Sequence, residues 1–335
     1  MRSILLIDSF AQIFRGYFAV RVLTSHDGTP TNAVFAMAKF LLKLHVDYPA
    51  DAFDGAFVFD CGKPAHRLEL APDYKANRPP APPELTAQIP IVRDLIEAFG
   101  WPLFEQQAWE ADDLISALAN AFSGREIRIV SADKDLAQLV NDRVAMLIPS
   151  HTGAGFELRD EAAVVEKFGV PPSGIIDYLA LVGDAADNIP GIEGVGPKTA
   201  AKLISTHGSI DAILADPSAV TNVNLRRKLV DGAEHLRKNQ ALVRLLHDPP
   251  AGAAWSDAML VRRAPDFRRI RKLAAKLDLN SIIRNIDKIA PETAFEDAPD
   301  DLFAAPSPAI AKPESASPAE KAAEKPASEQ MEFDF

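Results

Sequence analysis

Two aspartates near the middle of the chain have the spacing of a cation site. Asp184 and Asp187 are three residues apart, so we expect a single helical turn to place both carboxylates on one face. Carboxylate oxygens are the ligands that hard divalent cations prefer. The pair therefore predicts part of a divalent-metal site, to which other acids of the chain must contribute.

The segment that follows these aspartates, residues 191–200, could grip a phosphate. Its glycines permit positive φ and close approach of a foreign backbone, and Pro197 suits the first position of a helix. Backbone amides at the start of such a helix, with a lysine beside them, form a phosphate site. This pattern is typical of a helix-hairpin-helix, which binds a nucleic-acid backbone without reading bases; an ordinary glycine-rich turn between packed helices is the alternative. The candidate DNA-binding residues here are Gly191, Gly194, Gly196, Lys198 and Lys202.

Short apolar runs alternate with helical patterns over the first half of the chain. Four apolar runs predict buried strands: residues 4–7, 53–60, 127–130 and 144–148. Three other segments have apolar residues at helical spacing: residues 33–46, 91–99 and 111–122. This alternation indicates an α/β fold with a central, mainly parallel sheet flanked by helices. After about residue 170 the pattern becomes wholly helical.

Acids follow three of the predicted strands. Asp8, Asp60 and Asp133 each lie at or just past the carboxyl end of a strand, where ligands collect in sheets of this kind. A fourth contribution comes from residues 110–113 at the start of a helix, where acids also complement the helix dipole. We therefore expect one acidic crevice, and scattered structural acids are the alternative.

Nine carboxylates converge on this predicted crevice, and they cannot all stay ionised unless cations compensate them. Oxygen-only ligands select Mg²⁺ or Mn²⁺, and no histidine or cysteine is placed to form a zinc site. Two such ions could generate hydroxide and stabilise both oxygens of an in-line phosphoryl displacement. We predict a site for two Mg²⁺ ions, with Mn²⁺ able to substitute. Its ligands would be Asp8, Asp60, Glu110, Asp112, Asp113, Asp133, Asp135, Asp184 and Asp187.

A basic and aromatic segment separates two of these acids. Lys75 and Arg78 are three residues apart and could offset negative charge on a scissile phosphodiester. Tyr74 could stack on an unpaired base, and Arg67 adds a further candidate DNA contact. A proline-rich patch follows at residues 78–83, so the segment reads as functional rather than structural. A solvated surface excursion is the alternative.

The whole chain has 335 residues and a formal net charge of −11, which looks unfavourable for binding nucleic acid. Residues 291–335 contain eleven acids and three lysines, so they carry −8 of that charge. We therefore expect a local basic track elsewhere rather than a basic surface. No apolar run is long enough to span a membrane, the N-terminus is too short for a signal peptide, and the single cysteine, Cys61, fits the cytoplasm.

These residues resemble the 5′-nucleases that include flap endonucleases and the 5′→3′ exonuclease domain of bacterial DNA polymerase I. The resemblance covers about residues 1–290. The motifs that carry it are LLIDSFAQIFRGYFA (5–19), TPTNAVFAMAKFLLKL (29–44), VFDCGKPAHRLELAPDYKANRPP (58–80), WEADDLISALA (109–119), IVSADKDLAQLV (129–140) and LVGDAADNIPGIEGVGPKTAAKLI (181–204). Two departures are small: Ser9 replaces the usual glycine, and Ser131 with Ala132 replaces the usual Thr-Gly.

The resemblance implies a PIN/resolvase-like α/β domain over residues 1–170 and a helix-hairpin-helix domain over residues 171–290. It implies metal ligation by the nine acids, directly or through water. It also places Lys75 and Arg78 at the base of a helical arch, about residues 67–100. Residues 191–196 would hold K⁺ through backbone carbonyls. The composition of residues 291–335 indicates a disordered acidic tail.

The expected activity is Mg²⁺-dependent cleavage of DNA that has a 5′ flap or a free 5′ end, by a monomer, during primer removal and repair. A single-strand ribonuclease and a non-catalytic branched-DNA-binding protein are the alternatives. Residues 330–335 alternate apolar side chains behind a glutamine, which looks like the short peptides that dock on a bacterial sliding clamp. The acidic, Phe-terminated end also resembles the tip of single-strand-binding proteins, and a meaningless disordered end is the remaining alternative.

Overall fold

The computed structural model describes residues 2–150 and 155–290. Six strands form its main sheet in the order β3-β2-β1-β4-β5-β6. All neighbouring pairs are parallel except β5 and β6, which are antiparallel. The predicted fold class, a mainly parallel sheet flanked by helices, is confirmed. The strands are β1 (Ser3–Asp8), β2 (Phe53–Phe59), β3 (Leu103–Glu105), β4 (Ile127–Val130), β5 (Val144–Pro149) and β6 (Phe156–Arg159).

Two edge strands were not predicted. β3 has only three residues, too few to show a strand period. β6 is largely exposed, so it lacks the continuous apolar run that identifies the central strands. Central strand β1 has that run, because helices cover both faces of the sheet and Ile4 to Ile7 are all buried.

The helices of the described residues lie on both sides of the sheet and then form the second half of the chain. They are α1 (Ser9–Ala19), α2 (Asn32–Asp47), α3 (Ala65–Leu70), α4 (Pro83–Ala98), α5 (Ala111–Ala121), α6 (Glu161–Phe168), α7 (Ile175–Val182), α8 (Pro197–His207), α9 (Ile210–Ala215), α10 (Val223–Asp231), α11 (Ala233–Val243), α12 (Phe267–Lys276) and α13 (Asn280–Ile289).

The second half is not wholly helical, which corrects the sequence prediction. Two short antiparallel strands, β7 (Gly183–Asp184) and β8 (Ile189–Pro190), interrupt it. Asp184 ends β7, and Asp187 lies in the turn between the two strands, so they do not share a helical turn. A spacing of three residues occurs in both helices and turns. Here the backbones of Gly183 and Gly191 approach closely, which favours the turn. A Cβ at Gly183 would lie only 2.3 Å from the nitrogen of Gly191.

The structure also narrows the segment that could form an arch. Nearly half of the predicted range, residues 67–100, belongs to α4, which packs on α2 and has Leu85, Val92 and Ile96 fully buried. Its apolar residues recur at helical spacing, so α4 forms part of the core. Most residues of the connection between α3 and α4, residues 71–82, are exposed, although Ala71 and Tyr74 are buried in the core.

Residues Met1–Ile289 form one compact unit, and the predicted boundary near residue 170 stays a prediction. The predicted tail, residues 291–335, lies outside the described residues. Within the described ranges, no helix has the length and apolar character needed to cross a bilayer.

Candidate active site

The end of β1 carries the first of the predicted ligands. Asp8 is the N-cap of α1: its Oδ1 accepts a hydrogen bond from the amide of Ala11 at 3.1 Å. Its Oδ2 accepts one from the hydroxyl of Ser131 at 2.9 Å. Burial and the neighbouring charge of Asp60 raise the pKa of Asp8 to about 7. A carboxyl with this pKa is partly protonated at physiological pH. A nearby cation would stabilise its ionised form.

Asp60 follows β2, the neighbour of β1 in the sheet. Its Oδ1 accepts a hydrogen bond from the amide of Ala111 at 3.1 Å, which links it to the first residue of α5. Burial raises the pKa of Asp60, while the charge of Lys75 acts in the opposite direction. The sheet therefore brings two of the predicted ligands side by side, as their positions at strand ends indicated.

The start of α5 contributes three more acids. One oxygen from each of Glu110, Asp112 and Asp113 lies within 4.8 Å of the others, close enough for all three to hold one metal ion. Burial raises the pKa of Asp112 well above its usual range, with the charges of Asp113 and Glu110 adding to the effect against that of Arg67. The charge of this cluster is thus only partly compensated by protein groups.

Arg67 lies beneath this cluster and is only 1% exposed. Its Nη1 donates to Glu110 at 2.6 Å, its two terminal nitrogens pair with Asp113, and its Nε donates to the carbonyl of Leu242 at 2.9 Å. Burial alone would lower the pKa of Arg67, but the surrounding carboxylates outweigh it and raise that pKa. The expectation that Arg67 contacts DNA is corrected, because a buried guanidinium cannot reach a bound backbone.

Both carboxylate oxygens of Asp113 are occupied by protein donors. Besides Arg67, the amide of Leu246 donates to its Oδ1 at 3.0 Å, and the side chain has no exposed surface. These bonds leave Asp113 less able to bind a metal directly than Asp112, whose carboxylate accepts one hydrogen bond, from the amide of Asp113.

Tyr74 is also buried, with 6% exposure. Its hydroxyl donates to Asp187 at 3.0 Å and approaches Glu110 at 3.2 Å. Burial and the charges of those two acids raise the pKa of the phenol, so it remains a donor. The structure therefore corrects the expectation that this ring stacks on an unpaired base: the ring is covered, and its hydroxyl orients two carboxylates.

Lys75 and Arg78 face the same acids from a more open side. The Nζ of Lys75 pairs with Glu110 and lies 3.7 Å from Oδ2 of Asp187, and its side chain is 23% exposed. Arg78 pairs with Asp187 and is half exposed. Burial would lower the pKa of Lys75, but the charges of Asp187 and Glu110 outweigh it and raise that pKa. Lys75 is therefore a permanent cation, suited to neutralising a phosphate rather than to removing a proton.

The loop after β4 adds two acids. The Oδ1 of Asp133 accepts from the amide of Asp135 at 2.9 Å, and the amide of Asp133 donates to Ser131 at 3.1 Å. Burial and the nearby charges of Asp133 and Asp187 raise the pKa of Asp135 well above its usual range. The same hydroxyl of Ser131 thus links this loop to Asp8.

The turn between β7 and β8 completes the set. The Oδ1 of Asp184 accepts from the amide of Ala186 at 2.8 Å, and its Oδ2 pairs with Lys134 at 3.1 Å. Because Lys134 belongs to the loop after β4, its pair with Asp184 shows that this turn faces that loop. Contributions from β1, β2, the β4 loop, α5 and this turn therefore meet in one acidic network.

Sequence reasoning missed two members of this network, Lys134 and Ser131. Lys134 lies between two predicted ligands, Asp133 and Asp135, and that position was the available signal. For Ser131 the signal was its departure from the resembled motif, because the hydroxyl donates to Asp8 across neighbouring strands.

The glycine-rich segment forms a loop before α8, and Pro197 is the first helical residue as predicted. Ile192 and Val195 point into the core. Gly194 has φ of +81°, a conformation that glycine adopts readily. Gly191 has another role than the one predicted, since a Cβ there would lie 2.2 Å from the carbonyl oxygen of Val182: the close approach is to this chain's own backbone.

Several groups of this loop and of α8 are exposed to solvent. Glu193, Gly194 and Gly196 are exposed, as are Lys198 and Lys202, which are one helical turn apart on α8. Lys228 of α10 donates to the carbonyl oxygen and the carboxylate of Glu193, at 3.1 and 3.0 Å. The loop therefore presents open backbone and two lysines to solvent, as a phosphate-binding surface requires.

Two family models match the chain. One, described as the 5′-3′ exonuclease N-terminal resolvase-like domain, matches residues 3–169. The other, described as the 5′-3′ exonuclease C-terminal SAM fold, matches residues 170–267. Together they agree with the resolvase-like sheet and the helical second half.

Curated sequences are similar over most of the chain. A 5′-3′ exonuclease of Aquifex aeolicus is 35% identical over 291 residues, which cover 86% of this chain and 96% of that protein. A thermostable DNA polymerase I of Thermus thermophilus is 35% identical over 299 residues, which cover 88% of this chain but only 34% of the polymerase.

Solved structures share the fold. The bacteriophage T5 flap endonuclease, in a pseudo-enzyme-product complex with DNA and metal ions, superposes with a TM-score of 0.61 at 20% identity, covering 86% of this chain and 99% of that one. The catalytic core of Rad2 in complex with DNA substrate gives a TM-score of 0.58 at 17% identity, covering 86% and 90%. At these identities the likeness concerns the fold alone.

Proposed function

Because the chain belongs to the 5′-3′ exonuclease family, we propose that it is a Mg²⁺-dependent, structure-specific nuclease that cuts DNA near the junction of a 5′ single strand with duplex. The products would be a 5′-phosphate and a 3′-hydroxyl. The observation that carries this proposal is the acidic network, which lies against two permanent cations, Lys75 and Arg78.

The donor set fits divalent metal. Oxygen ligands dominate the network, and Asp8, Asp112 and Asp135 have pKa values raised chiefly by burial, which a bound cation would reverse. Bound Mg²⁺ would lower the pKa of a water molecule and stabilise the attacking and leaving oxygens of the phosphodiester. The residues proposed to hold two ions, directly or through water, are Asp8, Asp60, Glu110, Asp112, Asp113, Asp133, Asp135, Asp184 and Asp187.

The basic groups would do the remaining work at the phosphate. Lys75 and Arg78 would exchange their carboxylate partners for the oxygens of the scissile phosphodiester and offset its developing charge. Arg67 and Tyr74 would stay in place, because each is buried and bonded to acids of the network. They would keep Glu110 and Asp187 oriented while the exposed cations move.

Binding of the duplex is assigned to the loop before α8. Gly194, Gly196, Lys198 and Lys202 are exposed there and would hold the backbone at a distance from the acids. Residues 191–196 would also bind K⁺ through backbone carbonyls. A 5′ strand would pass beside residues 71–82, where most positions of the predicted arch that lie outside helices are exposed.

The cellular role that suits this activity is removal of primer RNA and displaced flaps by a monomeric, cytoplasmic enzyme. Residues 1–170 and 171–290 would act as the nuclease and duplex-binding domains. Residues 330–335, outside the described residues, would dock on a sliding clamp, with residues 291–329 as a tether.

Cleavage mapping on a 5′-labelled double-flap DNA tests the proposal. We expect Mg²⁺-dependent incision close to the flap junction, no cleavage in EDTA, and much slower cleavage of an unstructured RNA of the same length. Preferred cleavage of the RNA would instead identify a single-strand ribonuclease. Tight binding of branched DNA without any turnover would identify a non-catalytic binding protein.

A further inference from the structure

Two turns that are far apart in the chain carry opposite charges toward each other. The cation turn, residues 73–78, contains Lys75 and Arg78. The carboxylate turn, residues 184–188, contains Asp184 and Asp187. The distance between these two groups of side chains depends on how the turns are held together, because neither turn is part of a long helix or a strand of the main sheet.

Main-chain atoms and one guanidinium provide part of the connection. The amide of Lys75 donates to the carbonyl oxygen of Asp187 at 3.0 Å. The Nε of Arg78 donates to the carbonyl oxygen of Ala186 at 3.1 Å. If Arg78 shifts toward a phosphate, the second of these bonds is lost, so other groups must keep the turns in register.

Tyr74 donates to Asp187 from within the cation turn, and two exposed asparagines, one from each turn, add further bonds. The Nδ2 of Asn77 donates to the carbonyl oxygen of Ala185 at 2.6 Å. The Nδ2 of Asn188 donates in the reverse direction, to the carbonyl oxygen of Asp73 at 2.9 Å, and lies 3.2 Å from the carboxylate of the same residue. These two bonds act as clamps: they join the same two turns that the pairs of Lys75 and Arg78 with Asp187 also connect.

The backbone of both turns needs such support. Lys75 has φ of +56° and Asn188 has φ of +59°. Asparagine tolerates this left-handed conformation, but for lysine it is unfavourable and persists only where surrounding bonds hold it. The conformation of Lys75 is therefore maintained by its neighbours rather than by its own preference.

We infer that Asn77 and Asn188 are positioning residues for cleavage, which act by fixing the cation turn against the carboxylate turn. This inference rests on the proposed function, since it assigns the catalytic cations to Lys75 and Arg78. The asparagines themselves touch neither metal ligand side chains nor, on this assignment, the substrate. Their removal should disturb the chemical step and leave DNA binding intact.

Two variants test this directly. Asn77→Ala removes one clamp, and Asn188→Gly removes the other while allowing the positive φ, so strain does not confuse the result. We expect the single-turnover cleavage rate at saturating flap DNA and Mg²⁺ to fall roughly 10- to 100-fold, because small misplacements of reacting groups are costly. The Kd for the same DNA in EDTA should change less than about twofold, within the scatter expected when no contact is lost.

Asn120→Ala is the matched control. Asn120 is an exposed asparagine of α5 whose Nδ2 donates to a distant backbone carbonyl, that of His247, at 3.1 Å. The variant therefore loses a side-chain-to-backbone hydrogen bond of the same kind, at a place remote from the two turns. All three variants should therefore have similar thermal stability, and only the two clamp variants should cleave slowly.

A double-mutant cycle separates positioning from general damage. If Asn188 acts through Lys75, Asn188→Gly should cost much less in a Lys75→Ala background than in the wild-type chain. The inference would be overturned if the rate losses of Asn188→Gly and Lys75→Ala multiplied fully in the double variant. It would also be overturned if both clamp variants cleaved at the wild-type rate, or if Asn120→Ala lost as much activity as they do. A wild-type chain that fails to cleave DNA would instead overturn the proposed function, so the two failures are distinguishable.

Discussion

At the scale of single residues, the site separates acids that are available to a metal from groups that orient them. Asp113 is saturated by Arg67 and the amide of Leu246, whereas Asp60 accepts one hydrogen bond from the backbone of α5. The two permanent cations stand on the open side of the network. This division predicts different consequences for substitutions that look alike in the sequence.

Removing charge from a proposed metal ligand should greatly slow turnover without weakening DNA binding. We expect Asp184→Asn or Asp133→Asn to cleave flap DNA roughly 100-fold or more slowly, as when one electrostatic contact to the transition state is lost. The affinity for branched DNA in EDTA should be unchanged, because backbone contacts lie elsewhere. Asp142→Asn, at an exposed acid outside the site, is the control. Near-normal turnover by Asp184→Asn would make the two-metal assignment wrong.

Removing the buried guanidinium should chiefly affect stability. Arg67→Met leaves the fully buried Asp113 without its ion partner, so we expect the free energy of unfolding to fall by about 3 to 5 kcal/mol. Chemical denaturation measures this. Lys43→Met, which removes the partly exposed pair with Asp47 on α2, should cost about 0.5 kcal/mol or less. Equal losses in the two variants would contradict the role assigned to Arg67.

At the scale of elements, the helices and turns decide which surfaces reach solvent. The loop before α8 packs Ile192 and Val195 inward and leaves Gly194 at its exposed tip. The loop before α2 meets the C-terminal helices through a polar pair at the surface, His26 and Asp278. Each element therefore allows a test that does not touch the acidic network.

The loop glycine should matter for DNA and not for metal. Gly194→Val forces a branched side chain into positive φ and fills the open approach to the loop, so we expect duplex affinity to weaken about tenfold, or 1.4 kcal/mol. Gly208→Val is matched in strain, since Gly208 has φ of +87° with no atom near its would-be Cβ. It should lose similar stability but keep its affinity. Unimpaired duplex binding by Gly194→Val would remove the loop from the DNA surface.

A surface pair gives a pH-dependent contact between the loop before α2 and the end of α12. Both the backbone amide and the ring of His26 bond to Asp278, at 2.7 and 2.8 Å. That hydrogen bond and the charge of Asp278 raise the pKa of His26 above 6.5 and lower that of Asp278. The stabilisation is therefore fully present below pH 6.5, down to the titration of Asp278, and is lost as pH rises through the raised pKa of His26.

An NMR titration of His26 measures this shift. In Asp278→Asn, which keeps a residue that tolerates φ of +56°, we expect the pKa of His26 to return toward about 6.5. The difference in Tm between wild type and this variant should shrink as the pH rises through the raised pKa of His26. Asp51→Asn, an exposed acid elsewhere, should leave the pKa of His26 unchanged. An unshifted His26 in the wild type would show that the pair does not form in solution.

At the scale of the whole molecule, charge is divided unevenly along the chain. Residues 291–335 carry −8 of the net −11, so the remaining residues are nearly balanced despite their nine clustered acids. Metal bound at that cluster would make the DNA-facing part net positive. This distribution favours DNA binding by the first 290 residues and a separate task for the last 45.

The tail should be dispensable for chemistry. Deleting residues 329–335 should leave cleavage of a free oligonucleotide flap unchanged and abolish binding to a sliding clamp, because a tethered peptide only raises the local concentration of the enzyme. Titration of a labelled peptide of residues 325–335 against purified clamp is the direct measurement, with a sequence-scrambled peptide as control. No binding at high micromolar concentration would leave the tail without this role.

Local sequence alone determined the sheet, the strand-end acids and the start of α8. The signals lie within a few residues of the features that they predict. Apolar runs that stop at Asp8 and Asp60 predict strand ends, and a proline after glycine at residues 196–197 predicts the start of a helix. These predictions held because parallel strands bring their carboxyl ends to one edge whatever the details of packing.

Only the tertiary structure decided which side chains face solvent and which turns meet. Arg67 and Tyr74 lie in a segment whose composition is typical of DNA binding, yet both are buried. Their hydrogen-bond partners, Leu242 of α11 and Asp187, are more than a hundred residues away in the chain. The cation turn and the carboxylate turn join through hydrogen bonds between residues over a hundred positions apart. The periodicity of the local sequence does not predict such a pairing, because the pairing depends on all the packing contacts that bring the two halves of the chain together.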